Sequence, residues 1–524
     1  MSPLKPRARG RRVAVAVAAM CMSAVVSPAV AQNADPQRVQ QLQREQRLRE
    51  LDQFDLDRRI KANELVPVDQ RTLIDYGAFL SINYLTVKEG DGETRGQRIY
   101  EAVGYARVNV DGVHEGFVRG RYAYFDFFSE NDSFDGRGSR ENDDKLDRAY
   151  YRFDLGRYMQ AYQGKNPDSG LAIQGGRDLV YWANGLVLGS RLDGFVIDAY
   201  TRELSVQAIV GVTPEKTVDF DPSRPDYDTD TRRAFFGALF TYDLGKHQPF
   251  AYALVQRDWN DNAAVNQNLG VTSDFDPDTG AVIPGSEQEI LTRFGYDSQY
   301  FGIGSNGVLS DRFLYAVEAV YQAGSARPTN VRPDGASIVL AGDGRQKRES
   351  IQAAAVNARL EYLLLDDRNT RLSFEQTIAT GDRDRIASSS DTVFGNSPGT
   401  KDRAFNAFGL INSGLAFSPN LSNLSITRFG IATNPIPNSE LTRRLQVGID
   451  FFVFAKLQQG AVIDEPTGDD GHFLGVESDL YLNWQVTSDL TVVIRYGYFF
   501  PSDQFPSGND GDRQFVFAGV TYAF

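Results

Sequence analysis

The sequence predicts an all-β fold: a transmembrane antiparallel β-barrel of about eighteen strands, sixteen being the alternative count, with a short N-terminal helix. Three observations predict it. The last ten residues, Phe515 to Phe524, alternate in character and end on an aromatic, so that Val516, Ala518, Val520, Tyr522 and Phe524 share a lipid-facing side. Arg513, Phe515, Phe517, Gly519, Thr521 and Ala523 share the other. From Thr72 onward the apolar period is two. The mean hydropathy is only −0.37 in a chain with 34 Phe, 24 Tyr and 48 Gly, as expected when greasy and wet faces alternate.

The elements follow in order. Residues 1–31 open with Lys5, Arg7, Arg9, Arg11 and Arg12, continue through an apolar run and close on Ala29-Val30-Ala31, which reads as a cleavable signal peptide cut before Gln32. That run is too short to span as a helix, and no other stretch approaches the roughly 20 apolar residues needed. The only cysteine, Cys21, lies inside the signal, so the mature chain has no disulfides and no lipid-attachment box. Formal charge is −14; losing the signal's five basic residues leaves −19, a balance that argues against nucleic-acid binding. Residues 32–68 carry Leu42, Leu48, Leu51, Phe54 and Ile60 at helical spacing and form the expected periplasmic helical segment: a coiled coil, cap, tether or plug, and a possible contact for periplasmic export machinery. Residues 69–524 are the expected barrel.

Within that barrel, Leu445, Val447, Ile449, Phe451, Val453 and Ala455 share one face against Asp450, Phe452 and Phe454 on the other. Leu474, Val476, Leu480, Leu482 and Trp484 oppose Glu477, Asp479 and Tyr481, and Leu490, Val492, Ile494, Tyr496 and Tyr498 oppose Thr491, Arg495 and Gly497. Similar segments start near Leu73, Ile99, Glu115, Leu146, Leu171, Leu192, Leu204, Ala234, Phe250, Leu291, Phe313, Ile351, Arg371 and, least clearly, Phe405. Tight links such as Asp111-Gly112, Leu244-Gly245-Lys246, Asp366-Asp367-Arg368 and Thr487-Ser488 alternate with long polar ones: 129–145, 213–231, 260–289, 324–349, 382–403 and 458–471. Short periplasmic turns and long external loops are the outer-membrane pattern. The acidic stretches from Asp219 to Asp230 and from Asp274 to Asp278 lack the ordered spacing of a calcium loop and read as solvated.

The same alternation sends charge inward: Arg107 with Glu101, Arg119 and Arg121 with Glu115, Arg148 and Arg152 with Asp154, Arg359 with Glu361, Arg371 with Glu375, Arg444 with Asp450, and Arg495 beside Glu477 and Asp479. Guanidinium rings in a water-filled pore favour anions, and the planar fork suits carboxylate or phosphate. Alternatively, these groups pair across strands and stiffen the wall. Phe452, Phe454, Tyr481, Phe515 and Phe517, also inward, are either stacking faces for a sugar or packing under an inward-folded loop.

The segment Gly175-Gly176-Arg177-Asp178-Leu179-Val180-Tyr181-Trp182-Ala183-Asn184-Gly185-Leu186-Val187-Leu188-Gly189 resembles one of the alginate export family of outer-membrane porins, with Asp178 where that pattern has Gln. Asn420 to Leu424, Leu474 to Tyr481 and Arg495 to Pro501 resemble its C-terminal half. The resemblance implies an 18-stranded barrel passing anionic exopolysaccharide through an arginine-rich constriction, and it adds Arg177, Asp178 and Arg191 to the candidate conduit wall.

His114, His247 and His472, at strand ends or turns, with no Gly-x-Ser-x-Gly elbow, give no catalytic or zinc constellation, so no enzyme and no cofactor is expected. The expected function is an outer-membrane channel exporting alginate-like polysaccharide. The alternatives are an uptake porin for anionic solutes and a surface adhesin with a plugged barrel. Membrane lipid and an anionic polymer or solute are the expected partners.

Overall fold

A computed structural model describes residues 72–524 apart from 130–131, 135, 143, 226, 230, 261–263, 273–286, 330, 335–336, 341–345, 466 and 469. The expected signal peptide and N-terminal helix lie outside the described residues. In chain order the strands are β1 (Thr72–Lys88), β2 (Thr94–Val110), β3 (His114–Phe127), β4 (Arg140–Glu141), β5 (Leu146–Asp154), β6 (Gly170–Tyr181), β7 (Gly189–Tyr200) and β8 (Leu204–Val212). There follow β9 (Arg233–Tyr242), β10 (His247–Asp258), β11 (Ala264–Thr272), β12 (Glu287–Arg293), β13 (Tyr296–Ser310), β14 (Phe313–Ala326), β15 (Val331–Asp334), β16 (Ser337–Leu340) and β17 (Glu349–Leu363). The last are β18 (Arg371–Ala379), β19 (Leu424–Thr433), β20 (Leu445–Lys456), β21 (Phe473–Gln485), β22 (Leu490–Pro501) and β23 (Arg513–Ala523).

Eighteen of these form a closed antiparallel barrel; β4 is a short appendage on β3, and β11, β12, β15 and β16 make a separate four-stranded sheet. Closure joins the two ends of the chain's barrel: β1 pairs with β23 from Phe79 opposite Ala523 to Lys88 opposite Gln514. No sheet edge is left for the bilayer to solvate, which is why a barrel can span where an open sheet cannot. The faces divide as alternation demands. On β23, Phe515 and Phe517 are buried inside while Val520 and Tyr522 are exposed outside. The three-residue link Asp111-Gly112-Val113 turns tightly, Asp111 and Gly112 at positive φ (58° and 70°) and the Val113 N–H donating to the Val110 carbonyl at 2.9 Å.

Three expectations change. The segment near Leu291 belongs to β12, outside the barrel, and the barrel strand begins at Tyr296. The segment near Phe405 is not a strand. Its place is taken by β19, and Phe405, Leu410 and Leu415 are buried in the connection between β18 and β19, which folds into the barrel. Their apolar spacing reflects packing against the inner wall, not contact with lipid. Leu474 is buried inside and Phe473 exposed, because the register shifts between Phe454 and Ala455 opposite Gly475 (φ 153°). A Cβ at Gly475 would lie 2.3 Å from the Phe500 carbonyl oxygen, so only glycine fits this bulge.

The separate four-stranded sheet and one helix went unforeseen. The connection from β5 to β6 carries helix α1 (Leu155–Gln163), capped by Asp154 accepting from Arg157 N–H and ended by Gly164 at φ 63°.

Candidate pore wall and inward-folded loop

Two buried apolar clusters line the inside of the barrel. One joins Trp182 and Leu186–Leu188 to Phe235, Tyr252, Tyr300, Val320 and Phe405, against the wall from β6 to β18. The other joins Leu415–Phe417 to Phe452, Phe454, Phe499, Phe515 and Phe517, against β19–β23 and β1. The connection 380–423 touches both, so it crosses the lumen.

Its course is fixed by hydrogen bonds. Asp402 bridges to Ile351 of β17, Tyr300 donates its hydroxyl to the Asn406 carbonyl at 2.6 Å, and Phe408 exchanges backbone bonds with Val187 and Gly189 at 2.9 and 2.8 Å. At the far wall Glu477 accepts the N–H groups of Leu415, Ala416 and Phe417 at 2.6, 2.7 and 2.9 Å, and Asp479 accepts that of Leu415 at 3.1 Å. Both carboxylates face inward as expected, but they hold loop backbone and lie 1% and 3% exposed. Glu318 does the same on the other side, accepting Asn184 N–H at 3.0 Å and the Tyr252 hydroxyl at 2.5 Å. A buried carboxylate needs such donors, since an ion without them is costly to desolvate.

The aromatics settle accordingly. Phe417 stacks on Phe499 at 4.4 Å and meets Phe454 edge-on at 5.0 Å, so Phe452, Phe454, Phe515 and Phe517 pack under the loop. Tyr481 instead hydrogen-bonds to Arg371.

Between the two clusters, the inward faces of β2, β3 and β5 are charged, and every arginine named there has a carboxylate. Arg107 pairs with Glu115 at 3.0 Å, Arg121 with Glu101 and Arg119 with Asp147. Arg148 pairs with Asp178 at 2.6 Å and Arg152 with Asp198 at 3.4 Å. The expected partners of Arg107 and Arg121 are thus exchanged. The hairpin register puts Arg107 opposite Phe117 and Arg121 opposite Val103, which brings Glu115 and Glu101 diagonally within reach. Asp154 is occupied capping α1 instead.

Arg177 and Asp178 are adjacent and therefore point to opposite faces. Asp178 faces inside. Arg177 lies opposite Asp193, on the side of exposed Phe195 and Ile197, and pairs with Asp193 at 2.6 Å and Asp144 at 2.8 Å. Arg191 has the parity of Arg177 and shares Asp147 with Arg119, at 3.0 Å. Gly176 is required: its Cβ would lie 2.2 Å from the Ala149 carbonyl oxygen.

A second charged strip runs along β17–β22 toward the end that carries the short turns. Arg359 pairs with Glu361, while Glu375 and Asp450 both serve Arg428, a residue of the strand that the sequence placed elsewhere. Arg371, Arg444 and Arg495 complete it, and with Asp479 opposite Asp450 these residues set five guanidinium groups beside four carboxylates. Arg444 is exposed at the strand end and Arg359 is 42% exposed.

The acidic connection 213–232 is not a solvated loop. Asp219 and Asp221 are each 3% exposed; Asp219 holds Arg233 at 2.6 Å, and Asp221 accepts the Thr392 N–H at 3.2 Å. The other acidic stretch, 274–278, lies outside the described residues. Asp391, buried at the same contact, has its carboxyl pushed up to about 7 by desolvation and then by the charge of Asp221. Among the described residues no group of three or more His, Cys, Asp or Glu is placed to hold a metal.

The family model described as alginate export matches residues 218–519. The chain belongs to the alginate export family. The matched region takes in β9 through most of β23, with the whole lumen-crossing connection and the aromatic wall, while the charged wall of β2, β3 and β5 precedes it. As a member of that family with a closed barrel, the chain is an outer-membrane channel protein. Similar solved barrels include OccK5 (OpdH) of Pseudomonas aeruginosa, at 8% identity and TM-score 0.48 over 86% of this chain and 98% of that one. OccK11 (OpdR) of the same organism gives 11% and 0.46 over 86% and 96%, and OccAB1 of Acinetobacter baumannii 12% and 0.47 over 86% and 96%. No curated protein matches the chain.

Proposed function

We propose that this member of the alginate export family passes an anionic polysaccharide or its fragments across the outer membrane, probed along its path by lumen arginines. The observation that carries the reading is the strip Arg359, Arg371, Arg428, Arg444 and Arg495, where five guanidinium groups stand beside the four carboxylates Glu361, Glu375, Asp450 and Asp479. Such an excess lowers the barrier for a carboxylate-bearing chain and raises it for cations. Arg107, Arg119, Arg121 and Arg152, each ion-paired, would form a polar track that offers hydrogen bonds with little net field. Export is the direction that the family's name supports; residues 32–68 would contact the periplasmic machinery, and the driving force would come from there.

Uptake of small anionic solutes is the second reading, and the lumen-crossing connection favours it, because a divided lumen admits small solutes more readily than a polymer. Planar-bilayer recording separates the two. Anion preference with block by polyuronate supports polysaccharide passage, anion preference without block supports the uptake porin, and absence of conductance supports a plugged barrel serving as an adhesin. Loss of secreted polysaccharide on deleting the gene would support export.

A further inference from the structure

The outer surface of the barrel is not uniformly charged at the end that carries the long loops. Across β1, β2 and β3 the outward cations are matched one to one: Lys88 with Asp512 at 2.8 Å, Arg98 with Asp126 at 3.2 Å, and Lys145 with Glu141 at 2.8 Å. Across β10, β13, β14 and β17 they are not. Arg257 and Arg348 share one carboxylate, Asp297, at 3.7 and 2.9 Å, and Lys401 reaches this face from the long connection to rest on the Gln352 amide oxygen at 3.0 Å. Arg232, the next cation along the rim, is matched by Glu215 at 2.9 Å.

These residues face lipid by parity. Arg257 shares its side of β10 with exposed Ala251 and Ala253, and Asp297 shares its side of β13 with Phe301 and Ile303, 50% and 66% exposed. Ser325 and Gln352 lie on the same side as Tyr321 and Val356, 47% and 41% exposed. Ser325 also accepts from Arg348 at 2.9 Å. The row therefore sits directly above the apolar belt, where lipid headgroups begin. The two guanidinium groups keep 43% and 50% of their surface exposed, and Asp297 orients both. Among the described residues, Arg257 and Arg348 on one carboxylate, with Lys401 on the neighbouring Gln352, make a local excess of two positive charges.

We propose that Arg257, Arg348 and Lys401 form a binding site for the phosphate of an anionic lipid headgroup in the leaflet at the long-loop end, with acyl chains against Phe301, Ile303, Tyr321 and Val356. Two guanidinium forks and an ammonium suit a phosphate whose own hydrocarbon lies against the neighbouring belt. The site is independent of what passes through the lumen.

The test uses the folded full-length protein in detergent and native mass spectrometry with bisphosphorylated lipid A or its dephosphorylated form as probe. The wild type should retain the phosphorylated lipid at least about tenfold better than the dephosphorylated one, and the triple variant Arg257→Gln, Arg348→Gln, Lys401→Gln should lose that preference. The control Arg98→Gln, Lys145→Gln should keep it, and millimolar inorganic phosphate should not displace the lipid. Equal retention of the two lipids, an unaffected triple variant, a control that loses as much, or displacement by free phosphate would each overturn the site. The comparison of two lipids on the wild type needs no variant to fold.

Discussion

Two stretches of the inner wall obey the same alternation and end with opposite chemistry. On β20, β22 and β23 the inward rings Phe452, Phe454, Phe499, Phe515 and Phe517 lie against the connection 380–423; on β2, β3 and β5 the inward side chains include arginines and carboxylates bound to one another. Parity decides only which way a side chain points. What it meets there, a folded-in loop or a neighbouring ion, decides whether a ring or a charge is stable. Carboxylates show this best, since Glu477 holds backbone N–H groups on the first wall while Glu101 and Glu115 hold guanidinium groups on the second.

The strongest way to break the comparison is to strip the first wall of its cover. Phe417→Ala removes a ring packed against Phe454, Phe499 and Phe505, a loss of about 3 to 5 kcal/mol. Adding Glu477→Ala leaves the Ala416 and Phe417 N–H groups without their acceptor, each costing about 1 to 3 kcal/mol if they stay buried, and leaves Leu415 with Asp479 alone. Residues 415–417 should leave the wall, and single-channel conductance should rise several-fold. An unchanged conductance would mean that this connection does not constrict the lumen.

The second wall should respond differently. Arg119→Ala leaves buried Asp147 with Arg191 as its remaining ion-pair partner, and breaking a buried pair costs about 3 to 5 kcal/mol. Urea unfolding of the reconstituted barrel should shift to lower denaturant while conductance stays near the wild-type value. The reverse pattern would mean that the Arg119 pair governs permeation more than it holds the wall.

How much of this was legible follows from what each feature depends on. Period-two patterning depends only on neighbours along a strand, so the terminal strand and the facing of Phe515 and Arg495 could be read directly; the count of eighteen came out right although the segments at Leu291 and Phe405 are not barrel strands. The link Asp111-Gly112-Val113 also sets the pairing of Arg107 with Glu115, since placing Val110 opposite His114 fixes the register that brings them diagonally together. The strand at Leu424 was missed because Phe405 and its neighbours have similar short-range apolar spacing, made by burial in the lumen. Arg428 was missed with it. Bulges are equally silent: nothing local to Leu474 announces that Gly475 turns it inward. The roles of Glu318 and Glu477 depend on loops arriving from 134 and about 60 residues away, beyond any window of pattern.

The contact between connections 213–232 and 380–423 adds a pH-dependent test of how the cover is held. Asp391 in the folded state has a value of about 7 against an ordinary 3.8, so the closed contact retains a proton that the opened one releases. Its stabilisation is complete below about pH 4 and is lost as pH rises through 7; in that window opening should increase by up to about tenfold per pH unit, then level off. Limited proteolysis of 213–232 should follow this curve in the wild type and become shallower in Asp391→Asn, the remaining slope belonging to Asp221, which burial also pushes up. A protease sensitivity that falls with rising pH would contradict the sign.

The smallest effect on stability should come from the strip near the short turns, and it sharpens the contrast most finely. Arg444→Gln alters an exposed side chain, so stability should change by no more than about 0.5 kcal/mol. Yet it removes one of the positive charges that lack a matching carboxylate, and the reversal potential in a salt gradient should move toward cations. Replacing Arg107 and Glu115 together by Gln removes as many arginines but no net charge, because the pair, 3.0 Å apart, already cancels beyond a few ångströms. Selectivity should then stay where it was. If both substitutions moved the reversal potential alike, anions would be reading guanidinium groups individually through hydrogen bonds, and the paired wall would belong to the selective path as fully as the strip near the short turns.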